Sequence, residues 1–71
     1  MADSVYKVIE LVGTSSESWE KAAAAAVTQA SKSVRDLRVA EIVQLDVAIE
    51  NGKIKSYRAK VKLSFRYESK G

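Results

Sequence analysis

The chain has 71 residues, no cysteine, no histidine and a net charge of +3. That length holds one small domain over 1–71, burying only ~60% of its unfolded surface, so a further source of stability is needed. Disulfides and thiolate metal sites are excluded, the commonest neutral-pH base is missing, and oligomerisation is the stabiliser left, with an oxygen-ligated hard cation as a minor option.

The start, Met1-Ala2-Asp3-Ser4, carries an early acid and no apolar run of signal length. Nothing approaches the ~20 apolar residues of a membrane span. The expectation is a soluble cytoplasmic protein.

Val5 to Val12, VYKVIELV, is rich in β-branched residues and predicts a strand. One face carries Val5, Lys7, Ile9 and Leu11; the other carries Tyr6, Val8, Glu10 and Val12. Gly13 closes the strand, and Gly13-Thr14-Ser15 reads as a strand-to-helix turn. Thr14 with Glu17 has capping-box spacing, and Ser16 is an alternative cap.

A helix is predicted from about Glu17 to Val34. Trp19, Ala23, Ala26, Ala30, Val34 and Leu37 recur at spacings of three and four, with Val27 widening the stripe. Glu17 and Lys21 make an i,i+4 pair in the favoured order. The alanine run gives high helix propensity and a shallow face that lets the helix sit close to a sheet. Trp19 is expected to anchor the start of the helix. Arg35 and Arg38 fall near the helix exit, where cations are favourable.

The remainder, Val39 to Tyr67, is a hairpin. Asn51-Gly52 is the two-residue sequence that a type I′ turn favours, because both central residues need φ > 0. Pairing across it sets Glu50 opposite Lys53, Ile49 opposite Ile54, Ile42 opposite Val61, Glu41 opposite Lys62 and Ala40 opposite Leu63. Any bulge changes the parity beyond it. On the first strand Val39, Val43, Leu45, Val47 and Ile49 share one side by simple alternation, with Ala40, Ile42 and Ala48 on the other. On the last, Tyr57, Ala59, Val61, Leu63, Phe65 and Tyr67 are expected to face the helix, and Ser56, Arg58, Lys60, Lys62, Ser64 and Arg66 to face away.

The fold class is therefore α+β, in the order β-α-β-β, with a three-stranded antiparallel sheet wrapped around one helix. One helix covers one face only, and the first hairpin strand reads as apolar on both. Other copies of the chain are the economical cover for the second face.

No nucleophile–base pair is favoured without histidine or cysteine, and no glycine-rich phosphate loop or EF-hand spacing is present. A binding or storage protein is expected rather than an enzyme. Nucleic acid is an unlikely partner, because Tyr57, Phe65 and Tyr67 lie opposite the basic row and a stacking platform needs both on one surface.

The stretches Val5 to Ser15, the alanine-rich helix, Ala40-Glu41-Ile42-Val43 and the last strand ending Phe65-Arg66 together resemble the dodecins. These are small β-α-β-β proteins that assemble twelve copies into a hollow shell. The resemblance covers essentially the whole chain and implies a homododecamer binding flavin, riboflavin or FMN, between subunits. The family stacks a Trp just after the helix exit on the flavin ring, and a Gln of the last strand bonds the ring edge. Those positions here are Val39 and Arg58. Val39 has no aromatic face, and Arg58 donates but cannot accept. The chain thus looks closer to a branch of the family associated with calcium. Gln44 and Asp46 are further pocket candidates. Asp46, Glu41 and Glu50 are weak metal-ligand candidates by charge alone. With Arg58 in the pocket, a phosphate-bearing or other small anionic guest is expected.

Overall fold

The computed structural model describes residues 4–67; the reading made on Met1 to Asp3 lies outside them. The elements are β1 (Tyr6–Ser15), α1 (Trp19–Ser31), β2 (Leu37–Glu50) and β3 (Lys53–Arg66). The sheet order is β1-β3-β2, both pairings antiparallel, so β3 is central and the crossover helix lies over it. The fold is the expected α+β arrangement.

β1 runs three residues past Val12. Gly13, Thr14 and Ser15 stand opposite Ala59, Arg58 and Tyr57, so they belong to the sheet and not to a turn. The ladder satisfies backbone groups that a turn would leave open. Ser15 Oγ accepts from the backbone N–H groups of Glu17 (3.0 Å) and Ser18 (3.5 Å). The helix cap is neither Thr14 nor Ser16 but Ser18, in extended backbone, whose Oγ accepts from Lys21 N at 3.1 Å. The Glu17–Lys21 ion pair forms as predicted. The helix ends at Ser31, three residues short of expectation. Its exit reaches β2 through Asp36, which adopts φ 59°, a left-handed conformation that Asp tolerates.

The helix buries Ala22, Ala26 and Ala30, a row at strict i,i+4 spacing, with Ala23 and Val27 at its margin. The predicted stripe held Ala23 and omitted Ala22. Gly13 explains the difference: a Cβ built there would stand 2.0 Å from the backbone oxygen of Ala22. Only a bare backbone on the strand lets this turn of the helix settle so close. Ala59, Val61 and Leu63 of β3 complete the core, with Ile9 and Leu11 of β1 packed against it. The last strand faces the helix as predicted. Four of the six fully buried apolar residues are alanines, so this core is thin for its area.

The hairpin closes through Asn51 (φ 54°) and Gly52 (φ 74°), both in the left-handed region that a type I′ turn requires. All five predicted cross-strand pairs form. Between them, however, the register shifts by one residue after Ile42 and shifts back after Ala48. The first shift places Val43 in a bulge on β2 and the second places Lys55 in one on β3. The two cancel at the ends, which is why the simple register holds there and fails in the middle. A further shift lies between Leu37 and Val39.

The bulge also corrects the assignment of faces on β2. Ala40 and Ile42 stand opposite Leu63 and Val61, while Leu45 and Val47 stand opposite Ala59 and Tyr57, so all four lie on the helix side. Val39, opposite Ser64, lies on the outer side with Glu41, Gln44 and Asp46. β2 is apolar mainly on one side. That side stays exposed because the helix rests on β1 and β3 and barely reaches it: Leu45 and Ile42 remain 48% and 46% exposed.

Gly13→Ala is expected to destabilise the fold by at least about 3 kcal/mol, the upper range for overpacking, because a backbone carbonyl cannot move aside as a side chain does. A chemical denaturation series checks this; an unchanged midpoint would refute the close approach.

Candidate ligand-binding site

The outer face of the sheet carries the residues singled out in the sequence. Down its centre β3 presents Arg58, Lys60, Lys62 and Arg66. β1 flanks them with Tyr6, Val8, Glu10, Val12 and Thr14, and β2 with Val39, Glu41, Gln44, Asp46 and Ala48. Tyr6, Val8 and Val12 are about half exposed. Lys62 stands between Glu10 and Glu41, a cross-strand arrangement that offsets its charge.

Arg58 and Asp46 form the best-defined polar contact. Arg58 Nε donates to Asp46 Oδ1 at 2.7 Å and Nη2 donates to Oδ2 at 3.1 Å, a bidentate fork. A uniform register would have set Asp46 opposite Tyr57; the bulge at Val43 moves it opposite Arg58. The hydrogen bond from Arg58 holds the Asp46 carboxyl below the usual carboxylate range, against desolvation that raises it, with the nearby charges of Arg58 and Lys60 adding to the lowering. The same hydrogen bond raises Arg58. The Arg58 charge is thus largely met within the chain, which reduces the cationic character expected of this position.

Asp46 is gripped from the other side of the strand as well. Trp19 Nε1 donates to its backbone oxygen at 3.0 Å, and the Trp19 ring meets Tyr57 edge-on, with centroids 5.1 Å apart and planes at 75°. Trp19 is therefore the anchor predicted at the helix start, at the rim of the core and 37% exposed. Nothing in the periodicity announced its partner, because the partner is a main-chain oxygen placed by the bulge.

Val39 and Arg58 share the outer face but not a site. Val39 pairs with Ser64, six residues from Arg58 along β3, or roughly 20 Å at ~3.3 Å per residue. Val39 is 59% exposed and helps line a small cleft of about 150 Å³ with Val27, Leu37, Arg38, Ala40 and Leu63. Gln44 stands opposite Lys60, beside Asp46 on the same face.

The acidic candidates are also apart. Glu41, Asp46 and Glu50 are spaced five and four residues along β2, roughly 16 and 13 Å. Asp46 is engaged by Arg58, and Glu50 by Lys55 at 3.5 Å. Among the described residues no three acidic groups converge on a point that could hold a metal ion. Calcium takes six to eight oxygens, so these residues in one chain do not fit it.

Asp46, with its folded pKa lowered, keeps the fork intact above the usual carboxylate pKa of roughly 3.9 and releases it only as pH falls through the lower folded value. An NMR titration of the Asp46 carboxyl carbon is expected to give a midpoint below roughly 3.9, returning toward that value in Arg58→Gln. Equal midpoints in the two proteins would contradict the fork.

The sequence model of the family described as Dodecin matches residues 5–68. A calcium dodecin of Mycobacterium tuberculosis is 53% identical over 64 residues, covering 89% of each chain. A dodecin of Thermus thermophilus is 39% identical over 64 residues, covering 90% of this chain and 93% of that one. Among solved structures, the dodecin of Streptomyces coelicolor superposes with a TM-score of 0.91 at 37% identity, covering 99% of this chain and all of its own. The calcium-chelating dodecin of M. tuberculosis, described with a novel calcium-binding site, superposes at 0.81 with 48% identity, covering 94% of this chain and 96% of that one. The β-α-β-β fold, the register of its hairpin and these likenesses agree: the chain belongs to the dodecin family, on the side of its calcium dodecins.

Proposed function

We propose that this chain is a non-enzymatic binding protein that assembles into a closed, hollow homododecamer and stores or buffers small ligands in pockets built between copies, in the cytoplasm. The observation that carries the reading is the placement of Val39 and Arg58, on one face yet roughly 20 Å apart. A pocket that uses both must draw them from different copies. The shape of the chain supports this. Its radius of gyration is 14.8 Å, against about 11 Å for a compact monomer of this length, and its extents are 55 × 20 × 14 Å. Large apolar side chains are exposed on both sides of the sheet, Val8 and Val12 on the outer and Leu45 and Ile49 on the helix side. A thin core with this much open apolar surface is the condition that association relieves.

Within that assembly, flavin is not held in the family's manner. Val39 offers an isopropyl group in place of a stacking ring. Arg58 is tied to Asp46 and offers no acceptor. The three N–H donors that the fork leaves on Arg58 suit a small anionic guest, such as a phosphate-bearing molecule.

A second reading, calcium binding, is favoured by one observation: the M. tuberculosis relative is described as calcium-chelating. Since the acids of one chain do not converge, such a site here draws carboxylates from more than one copy, with Glu41 less engaged than Asp46 or Glu50. A nucleic-acid role is disfavoured by the sheet itself. Tyr57 and Phe65 lie on its helix side, away from the basic row.

Light scattering is expected to give a single closed oligomer at micromolar concentration, and a folded monomer would end this reading. Val47→Asp is expected to break the assembly, since its neighbours on that face are apolar and a charge buried there has no partner.

Riboflavin and FMN are expected to quench little in a fluorescence titration. Loss of stacking, at ~1–3 kcal/mol, and of a paired amide, at a similar ~1–3 kcal/mol, weakens binding by at least about 30-fold. Val39→Trp with Arg58→Gln is expected to restore quenching. Submicromolar flavin binding by the unaltered protein would overturn the assignment of these two positions.

A further inference from the structure

We infer that the tip of the hairpin in one copy docks into the cleft beside Trp19 of a second copy, head to tail. This rests on the assembling reading above and goes beyond it, by naming which surface meets which.

The cleft measures about 390 Å³ and is lined by Trp19, Glu20, Ala23, Ile42 and Leu45. Its walls are apolar, apart from Glu20 at its rim. It exists because the helix covers β1 and β3 and stops short of β2, leaving Ile42 and Leu45 open beside the indole. Trp19 cannot turn to close it, since its Nε1 is held by Asp46 and its ring by Tyr57.

The complementary knob is the end of the hairpin. From Gln44 to Glu50 β2 alternates without a bulge, so Leu45, Val47 and Ile49 share the helix side. Ile54 stands opposite Ile49. These two isoleucines are 67% and 55% exposed. The turn beyond them is fixed by Asn51 and Gly52, so the tip is a preformed projection.

Charge matches as well. Glu20 at the cleft and Lys53 at the tip make no ion pair within the described residues, whereas Lys55 pairs with Glu50 and Lys21 with Glu17. Seating Ile49 and Ile54 against Trp19 and Leu45 leaves Lys53 to meet Glu20. Docked head to tail, without reciprocal exchange, the contact is heterologous and closes around an axis of three-fold or higher order.

The chain contains no cysteine, which allows a clean test. Ala23→Cys and Ile49→Cys are placed on separate, differently tagged chains, co-expressed and oxidised. A disulfide-linked heterodimer carrying both tags is expected, with the oligomer intact by light scattering. An intact oligomer with no such link would overturn the docking and leave the assembling reading standing; a monomer would overturn both. As an independent measurement, Glu20→Lys and Lys53→Glu are each expected to lower the denaturant concentration at which the oligomer dissociates, and together to restore at least half of the loss. Additive losses in the double variant would overturn the pairing of these two residues.

Discussion

The approach of α1 to β1 at Gly13 governs the rest of the structure. A strand residue with any side chain would hold the helix off by the width of a methyl group, because the atom it meets is a main-chain oxygen of Ala22. With Gly13 bare, the alanine row Ala22, Ala26 and Ala30 lies against Ala59, Val61 and Leu63, and the helix sits low over β1 and β3. The close fit has a consequence for area. Small side chains bury little apolar surface, and a helix centred on those two strands does not reach β2. The apolar side of β2 is left open by the same geometry that closes the core.

Two compensating bulges shape the hairpin. The one at Val43 turns Leu45 and Val47 onto the side that Ala40 and Ile42 already occupy, and gathers Glu41, Gln44 and Asp46 on the outer face. The outcome is a strand with an apolar helix side and a polar outer side over most of its length. It also sets Asp46 against Arg58 on one side of the strand while its carbonyl meets Trp19 on the other. Both pairs are partly exposed, and surface contacts of this sort add little stability one by one. Their effect is positional: they fix the helix start, the middle of β2 and the Arg58 side chain of β3 relative to one another.

Membership of the dodecin family joins these features to a way of working. A sheet with a charged, partly apolar outer face and an uncovered inner margin is a component with surfaces to share.

The sequence by itself determined the element order, the turn, the helix side of β3 and the ends of the hairpin register. Each follows from a local rule: period-two alternation over Tyr57 to Tyr67, positive φ at Asn51-Gly52, helix propensity in the alanine run. The absence of histidine and cysteine likewise bounded the chemistry before any coordinates. Where the rules failed, a non-local partner decided. Thr14 and Ser15 belong to β1 because β3 offers them a ladder, which moved the helix cap to Ser18. Ala22 outranks Ala23 in the core because of a glycine nine residues earlier. Asp46 stands opposite Arg58, and not opposite Tyr57 as a uniform register implied, because a strand of fixed length between two pinned ends absorbs an extra residue as a bulge. Only the folded sheet could place that bulge, and with it the fork between Asp46 and Arg58.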